Sequence, residues 1–584
     1  MKILFVDYLN FYSTLHILHE HSKYDDIRLI SDSKYSSKLW KSILTFFRVK
    51  IHQEEFFFGE IFNDKGESIY LDSRRIASEK SLQYSEWLIK DSYFSNYGKS
   101  DSQSIKVLKL FISKTVWNEM EYFIRRLMYV KFTYPEKNKY YMIIRFPALI
   151  NTEYIQSSFQ EFNLIFRGKN RILIIKKTLY FLIKKALSFR YLSHKRKIKE
   201  NNKSTVTIAV DTISLDKKKR AFPHWFQKTN DRKFYILNFK KFKVDISKEN
   251  LKKNNIEILN HNYFYGSNHR KLNFSNNYRI PSILKLEIKI FFSLSNGMYD
   301  LLSALNCDKF IFIDPQDPMT DAVQIISKEV CVKTICIQYS NMGMKVPLMM
   351  TMADKFLTFS EIYSKIFTWK DIRPNKFDPI GYSFKVDKDD SLKDIKLNLL
   401  SKGVKKIIIY FDESVQNDKW GLISQQQYLN HLNTLAKTVI NNKQIAIVLK
   451  PQFIYNTIKR YNSQIIHKAI ATDRFIELNK GYHRNTYTPS NASQIADYCI
   501  NDLIGATAAI ECAVSNKKVL LINPHGYKPE FQSIYNKSNV VFPSLKNAID
   551  SILKNEDPVG DWTKIIDKFV AFNDGEEINR IQKK

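Results

Sequence analysis

The residues with the clearest potential for chemistry surround one predicted turn, Gly505-Ala506-Thr507. The apolar run Tyr498 to Ile500 predicts a buried strand before it, and Lys518 to Ile522 predicts a second strand after it. Ala508 to Ala513 predicts an apolar helix between the two. A strand, a turn of small residues, a helix and a second strand make a βαβ unit. The free N–H groups of the first helical turn would favour an anion such as phosphate, although an ordinary crossover has the same shape.

Four further residues are candidates for the same site. Glu511 lies four residues after Thr507 and therefore on the same helix face. Lys450 follows a predicted strand, and Asp412-Glu413 follow another. Each has a structural alternative: Glu511 as a carboxylate on the helix surface, Lys450 as a solvated lysine at a strand end, and the acid pair as helix caps.

Polar residues also end three successive predicted strands before the predicted linker at 387–402. Asp314 and Asp317 follow the strand Lys309 to Ile313, and Glu361 follows the strand Lys355 to Phe359. Ligands of open α/β sheets sit beyond the carboxyl ends of the strands. These acids are therefore candidates for catalysis, with a structural role as the alternative at each position.

The alternation of strands and helices predicts an α/β fold of two Rossmann-like, doubly wound domains. The N-terminal domain is predicted to span 1–386, with a helical, aromatic-rich insertion at about 42–200. A charged linker over 387–402 leads to a second Rossmann-like domain over 403–560, and a tail follows at 561–584.

Composition narrows the function class. Of 584 residues, 44% are hydrophobic, which is ample for packed cores. The formal net charge is +32, yet the lysines are scattered rather than gathered in one stripe, so we do not expect nucleic acid as a partner. None of the five cysteines forms a CxxC pair, which argues against a disulfide framework and against a zinc site. We interpret the cysteines as buried thiols of a protein in a reducing compartment. The DxD pattern Asp387-Lys388-Asp389 lies in the predicted linker and is interpreted as chance, so no metal site is predicted.

The chain shows neither a signal peptide nor an apolar run long enough to span a bilayer, so we expect a cytoplasmic protein. One segment, 172–197, nevertheless predicts a basic amphipathic helix. Its apolar face carries Ile175, Leu179, Leu182, Ile183 and Ala186, and lysines cover much of the other side. Such a helix suits peripheral attachment to the anionic inner face of a membrane. The alternative is a helix packed on the domain with its lysines in water.

The chain resembles the GT-B glycosyltransferases of bacterial surface-polysaccharide assembly, which include Kdo transferases and CDP-glycerol polymerases. The resemblance covers Lys309 to Arg580 and rests on the order of several short motifs: Gln338-Tyr339-Ser340, Ala353 to Leu357, Ile380-Gly381-Tyr382, Lys450-Pro451, Asp502 to Thr507 with Glu511, and Gly560-Asp561-Trp562 with Phe572 to Gly575. The chain departs from the family at two motifs. It has Gln338-Tyr339-Ser340 where relatives have Gln-His-Gly, and Lys450-Pro451-Gln452 where many relatives have His-Pro.

The resemblance implies transfer of a sugar from a nucleotide-activated donor, with a CMP-linked acidic sugar favoured, to a growing capsule, lipopolysaccharide or other lipid-linked glycan. It implies an inverting reaction without metal or cofactor. Fixed N–H groups at Ala506-Thr507 and the charge of Lys450 would stabilise the leaving phosphate. Gly505, Asp412, Glu413 and Glu511 would line the donor side.

An acceptor base would come from the N-terminal domain, where a carboxylate suits the task. Asp317 is favoured, with Asp314 and Glu361 as alternatives and His224 as an outside candidate. Two other functions stay open: a UDP-sugar 2-epimerase of the same architecture, and a non-catalytic nucleotide-binding subunit.

Overall fold

The computed structural model describes most of the chain. The residues outside the described part are 1, 31–35, 91–101, 136–139, 146, 168–173, 186–202, 210–212, 215–231, 240–241, 261–264, 266–279, 314, 384–391, 414, 416–417, 452–460, 462, 479–486, 555–561 and 584. Asp314, His224 and the DxD pattern at 387–389 therefore lie outside the described residues, as does much of the predicted basic segment after 185.

The N-terminal part of the chain forms a five-stranded parallel sheet. Its strands are β1 (Ile3–Val6), β2 (Asp26–Leu29), β3 (His52–Gln53), β4 (Tyr140–Arg145) and β5 (Phe162–Arg167). They lie in the order β3-β2-β1-β4-β5. Along β1, Leu4 and Val6 pack in one apolar cluster, whereas Ile3 and Phe5 pack in another. Because successive side chains of a strand point to opposite faces, both faces of this sheet are covered.

The range 42–200, predicted as an insertion, contributes three strands of this first sheet. β3, β4 and β5 all belong to it, and β4 pairs directly with β1. Short aromatic-rich runs do not separate strand from helix by periodicity, which is why the strands were not predicted. The first part of the chain therefore carries a parallel sheet of its own.

A second, seven-stranded parallel sheet follows. The strands of this region are β6 (Ser204–Ile208), β7 (Ile213–Ser214), β8 (Lys233–Leu237), β9 (Val244–Asp245), β10 (Ile256–Leu259), β11 (Cys307–Phe312), β12 (Lys333–Ile337), β13 (Lys355–Thr358) and β14 (Lys376–Pro379). The sheet order is β10-β8-β6-β11-β12-β13-β14, and β7 pairs with β9 as a separate two-stranded ribbon.

The third sheet has six parallel strands. They are β15 (Lys406–Phe411), β16 (Ile445–Lys450), β17 (Phe475–Glu477), β18 (Tyr498–Asp502), β19 (Lys518–Ile522) and β20 (Val541–Phe542). Their order is β17-β16-β15-β18-β19-β20. The predicted α/β class is confirmed, and its Rossmann-like parallel sheets number three in the described residues.

Helices connect the strands. They are α1 (Phe11–Glu20), α2 (Ser36–Phe46), α3 (Ile69–Ile89), α4 (Ser102–Thr133), α5 (Thr152–Ser158), α6 (174–185), α7 (Lys248–Lys253), α8 (Ser282–Ala304), α9 (Pro318–Ile326), α10 (Lys393–Ser401), α11 (Gln425–Asn441), α12 (Gln464–Ile470), α13 (Pro489–Ser493), α14 (Thr507–Val514), α15 (Gln532–Lys537), α16 (Leu545–Leu553), α17 (Trp562–Phe569) and α18 (Glu577–Gln582). None of the described helices is long and apolar enough to cross a membrane.

The first and third sheets are joined by close backbone contacts. Phe58 N donates to Lys419 O at 2.7 Å, and Ser68 N donates to His525 O at 2.9 Å. A methyl group on Gly59 would lie 2.0 Å from the carbonyl oxygen of Leu422, so a side chain there would force the two segments apart.

The first and second sheets are joined by a buried ion pair. Lys114 of α4 donates to Asp321 of α9 at 2.8 Å and to Pro315 O at 2.5 Å. Burial raises the pKa of Asp321 to about 6, against the opposing effect of the Lys114 charge. The pair therefore fastens the loop that carries Asp317 to the first layer of the protein.

The tail returns from the third sheet to the second. Ala571 N donates to Phe359 O at 2.8 Å, and Ser360 Oγ donates to Lys568 O at 2.6 Å. The region that follows the third sheet thus packs at the carboxyl end of β13, and holds the second and third sheets together.

Candidate active site

The third sheet has a topological switch point between β15 and β18. The chain runs from β15 outward to β16 and β17, then returns to β18 on the other side of β15 and continues to β19 and β20. The helices that follow β15 and β18 therefore depart in opposite directions, which leaves a crevice beyond the carboxyl ends of these two strands. Tyr410 of β15 is in register with Ile500 of β18, so the residues just after them come together.

Three carboxyl groups occupy this crevice. Asp412 and Glu413 follow β15, and Asp502 ends β18. Burial, with the charges of Asp502 and Asp412 adding to it, raises the pKa of Glu413 to about 8. Burial also raises the pKa of Asp502 to about 7, although its Oδ1 accepts a hydrogen bond from Ile504 N at 3.0 Å. A large fraction of the Glu413 carboxyl is therefore neutral at pH 7.

The start of α14 lies against Glu413. A methyl group on Gly505 would lie 1.4 Å from Glu413 Oε1, so only glycine leaves room for this carboxyl. The helix begins at Thr507 without a side-chain cap on its first turn. A neutral acid and the uncapped N–H groups of a helix start are thus neighbours, and both can donate hydrogen bonds to an anion.

Thr507 faces the second sheet. Its Oγ1 accepts a hydrogen bond from Asn341 N at 2.9 Å, in the loop that follows β12. Asn341 is itself held from both sides, because Tyr363 Oη donates to its Oδ1 at 2.8 Å and its Nδ2 donates to Tyr535 Oη at 3.4 Å. The carboxyl-end loops of the second and third sheets therefore meet at Thr507.

Lys450 ends β16, beside Phe411 of β15 in the strand register. Its side chain is buried. Burial raises the pKa of the Cys512 thiol in α14, and the Lys450 charge opposes that shift. Lys450 and Thr507 belong to the same edge of the sheet, with β15 between their strands. Their joint role at one anion site stays a prediction.

Glu511 is fully engaged by protein donors. One carboxylate oxygen accepts from Tyr382 Oη at 2.8 Å and the other accepts from Ser490 N at 2.9 Å. The side chain is buried rather than on the helix surface. In this structure Glu511 joins α14 to the loop after β14, and its place on the donor side stays a prediction.

The acids predicted on the second sheet occupy different settings. Asp317 is the N-cap of α9, where its Oδ1 accepts from Met319 N at 3.0 Å. Glu361 is exposed and begins a short 3-10 helix after β13. Because β11 and β13 flank β12, both acids follow strands next to the one that leads to Asn341. Their catalytic role stays a prediction.

Gln338, which opens the motif at the end of β12, serves the backbone. Its Nε2 donates to Ser340 O at 3.0 Å, and its Oε1 accepts from Phe359 N at 2.8 Å. The side chain therefore ties the loop after β12 to the end of β13, and so shapes the surface that receives Thr507.

Several polar residues beside the carboxyl cluster were not predicted from the sequence. Tyr428 Oη donates to Asp412 Oδ2 at 3.0 Å, and Tyr410 Oη lies 3.0 Å from His431 Nδ1. Burial lowers the pKa of His431 and of His525 to about 4, so both imidazoles are neutral at pH 7. The one available signal was Asp502 at a strand end opposite Asp412-Glu413. In the described residues, no group of three or more His, Cys, Asp or Glu side chains is arranged to hold a metal ion.

Comparison with known proteins gave matches among solved structures only. No protein-family model matches the sequence, and no curated protein matches it. The wall teichoic acid polymerase TagF aligns with a TM-score of 0.40 and 12% identity, over 71% of this chain and 97% of that chain. S. aureus MnaA with UDP gives 0.40 and 12%, over 65% and 94%. The UDP-GlcNAc 2-epimerase of Neisseria meningitidis bound to UDP-GlcNAc gives 0.38 and 12%, over 62% and 98%. The likeness is remote in each case.

The pH dependence of stability tests the carboxyl cluster. The Glu413 pKa of about 8 in the folded chain lies above its ordinary value of 4.5. The protonated form therefore stabilises the fold fully below about pH 4.5, and this contribution is lost as the pH rises through about 8. Glu413→Gln cannot ionise. We expect it to gain about 1–3 kcal/mol over the parent chain between about pH 5 and pH 9, measured as a higher apparent melting temperature at the upper pH.

Glu249→Gln on the exposed helix α7 is the matched control, because it removes the same charge from a carboxyl in solvent. It should leave the melting curve unchanged at both pH values. Equal melting of the Glu413 variant and the parent chain at about pH 9 would contradict the raised pKa.

Proposed function

We propose that this chain is a glycosyltransferase that takes a sugar from a nucleotide-activated donor and binds that donor where the second and third sheets meet. The observation that carries the proposal is the contact of Glu413 with Gly505 at the topological switch point, two residues before Thr507, the helix start that contacts Asn341. Departure of a nucleoside phosphate builds negative charge. Preformed N–H groups in a half-buried crevice stabilise that charge without reorganisation.

The carboxyl cluster suits this role because of its protonation. Ionised acids would repel a phosphate, whereas a neutral Glu413 donates a hydrogen bond to a phosphate oxygen. Lys450, at the end of β16, supplies the positive charge that a histidine supplies in the resembling family. A CMP-linked acidic sugar remains the favoured donor, and the resemblance to capsule and lipopolysaccharide enzymes is its support.

The acceptor hydroxyl needs a base, and we assign it to the second sheet. Asp317 is the favoured residue, with Asp314 and Glu361 as alternatives. Lys114 holds the loop that carries Asp317 in place by donating to the carbonyl oxygen of Pro315. This bond and the capping bond of Asp317 would keep its carboxylate in one position against an acceptor. The reaction needs neither a metal nor a cofactor in this proposal.

Two alternative functions are compatible with the same architecture. A UDP-sugar 2-epimerase would convert its nucleotide sugar without any acceptor, so incubation with UDP-N-acetylhexosamines alone identifies it by product analysis. A non-catalytic subunit would bind nucleotide and give no product in either assay. Transfer to an added glycan acceptor, with no epimerised sugar, supports the transferase.

Substitution of Asp317 tests the mechanism. Asp317→Asn keeps the shape and the capping oxygen but removes the base, so transfer should fall by about 10²–10⁴-fold while nucleotide binding stays within about twofold. Rates of sugar transfer and calorimetric titration with the donor nucleotide measure the two effects. Transfer should also survive EDTA.

Asp308→Asn is the control for this variant. Asp308 lies on β11, the strand that precedes Asp317, but near its amino end, where it pairs with Arg232 at 2.9 Å. It should retain full activity. Full activity of Asp317→Asn would contradict Asp317 as the acceptor base and leave Asp314 or Glu361 for that role. Loss of turnover in EDTA would refute the metal-free mechanism.

We also propose that α6 attaches the protein to an anionic membrane surface. Its Ile175, Leu179, Leu182 and Ile183 are all more than half exposed, at the spacing of one helix face. The helix contacts the protein through other residues: Phe181 packs edge-on to Tyr265, and Lys177 forms an ion pair with Glu287.

A second exposed apolar group lies at the end of α2. Phe46 is 82% exposed at the end of α2, and Phe47 follows it next to Arg48. α2 contacts α1 through the rings of Trp40 and Phe11. Aromatic rings beside basic residues suit the interface of an anionic bilayer, where a lipid-linked acceptor would be found.

Vesicle co-sedimentation tests the attachment. The parent chain should pellet with anionic phospholipid vesicles, because each lysine near such a surface contributes about 1 kcal/mol. Two variants should remain in the supernatant: Leu179→Gln with Ile183→Gln, and a charge reversal of Lys176, Lys177, Lys184 and Lys185 to Glu. Lys248, Lys252 and Lys253 of α7, changed together to Glu, are the control and should still pellet. Equal pelleting of all variants would contradict the proposal.

A further inference from the structure

A second concave site lies in the second sheet, outside the carboxyl cluster. It is a cleft of about 730 Å³ whose lining includes four cationic side chains and a single acid: Lys345, Lys365, Lys370, Arg373 and Glu530. The volume is in the range of ligand sites in proteins. Uncharged polar side chains, Ser364, Thr368 and Asn375, complete much of the wall.

The cleft is built by three short backbone segments. Lys345 belongs to the loop after β12, and Lys365 ends the 3-10 helix Glu361–Lys365. Lys370 lies in a tight turn in which Trp369 N donates to Ile372 O at 3.0 Å and Ile372 N donates to Trp369 O at 2.8 Å. The φ of Lys370 is +49°, in the left-handed region that a lysine rarely adopts. The turn therefore fixes the backbone of Lys370 in the wall of the cleft.

Within the part of the chain that the structure describes, most of the positive charge in the cleft has no acidic partner. Lys370 pairs with Glu86 of α3 at 2.8 Å. Lys345, Lys365 and Arg373 form no ion pair with any residue that the structure describes, and Glu530 is the one acid among the lining residues. Several cations in a concave site focus a positive potential and attract anions.

The cleft begins next to the candidate active site. Lys345 is four residues after Asn341, whose N–H donates to Thr507, so their Cα atoms are at most about 14 Å apart. Glu530 N donates to Gly343 O at 2.8 Å, which fixes the same loop against the third sheet. A chain lying in the cleft could therefore extend toward the start of α14.

We infer that this cleft binds an anionic polymer, a glycan with phosphate or carboxylate groups along its length, and holds it with one end toward Thr507. Lys345, Lys365 and Arg373 would neutralise its charges, and Ser364, Thr368 and Asn375 would bond its hydroxyl groups. The cleft would thus be the acceptor-chain site of the transferase proposed above, on which the biological part of this inference rests.

Calorimetric titration tests the cleft with two defined probes, hexagalacturonate for carboxylates and inorganic tripolyphosphate for phosphates. Lys345→Gln, Lys365→Gln and Arg373→Gln are combined in one variant. All three side chains are at the surface of the cleft, so the fold should persist, and the melting temperature checks this. We expect at least one probe to bind the parent chain and to bind this variant at least about tenfold more weakly, with affinity that falls as salt rises.

The control variant combines Lys248→Gln, Lys252→Gln and Lys253→Gln, which removes the same charge from the exposed helix α7. It should bind within about twofold of the parent chain, and neutral maltohexaose should not bind through the cleft. The inference is overturned if neither probe binds the parent chain, or if the two triple variants lose affinity equally. Binding is measured without a donor, so a chain that binds the probe through the cleft but transfers no sugar would refute the proposed function alone.

Discussion

Burial of carboxyl groups at the ends of β15 and β18 is the constraint on which the rest of the site depends. Asp412, Glu413 and Asp502 share one crevice, and burial makes it costly for all of them to carry charge. The arrangement follows from topology, because the switch point brings the ends of these two strands together. A partly neutral cluster is compatible with an anion at the start of α14, whereas an ionised one would repel it.

Two different electrostatic environments lie on either side of the loop after β12. Partly neutral acids and N–H groups lie at the start of α14, and three cations that form no ion pair with a described residue line the cleft from Lys345 onward. The loop after β12 connects them, since Asn341 contacts Thr507 and Gly343 accepts from Glu530 N. This layout fits a donor whose phosphate leaves at one place and an anionic acceptor that is held at another. The net charge of +32 alone would not have distinguished the cleft from the lysine-rich surface.

Local sequence patterns predicted the βαβ unit around Gly505-Ala506-Thr507 correctly. The expected strand at Tyr498 to Ile500, the helix at Ala508 to Ala513 and the strand at Lys518 to Ile522 are confirmed in β18, α14 and β19. Apolar runs and small-residue turns act over a few residues, so they are visible in the sequence. The partners of Glu511 are not, because Tyr382 is 129 positions away and reaches it only through the packing of two sheets. The separate first sheet was missed for a related reason, since β4 pairs with β1 across more than a hundred residues.

The most direct test of the account is calorimetric titration of the parent chain and of Gly505→Ala with CMP, CDP, UDP and GDP. Gly505 has no left-handed backbone, so alanine brings no conformational penalty, but its methyl group would lie 1.4 Å from Glu413 Oε1 and displace that carboxyl. The account predicts that at least one nucleotide binds the parent chain and that Gly505→Ala weakens it by at least about tenfold, the effect of losing about one charge-assisted hydrogen bond. Equal affinity in the two proteins, or no binding of any nucleotide to the parent chain, would contradict a phosphate site at the start of α14.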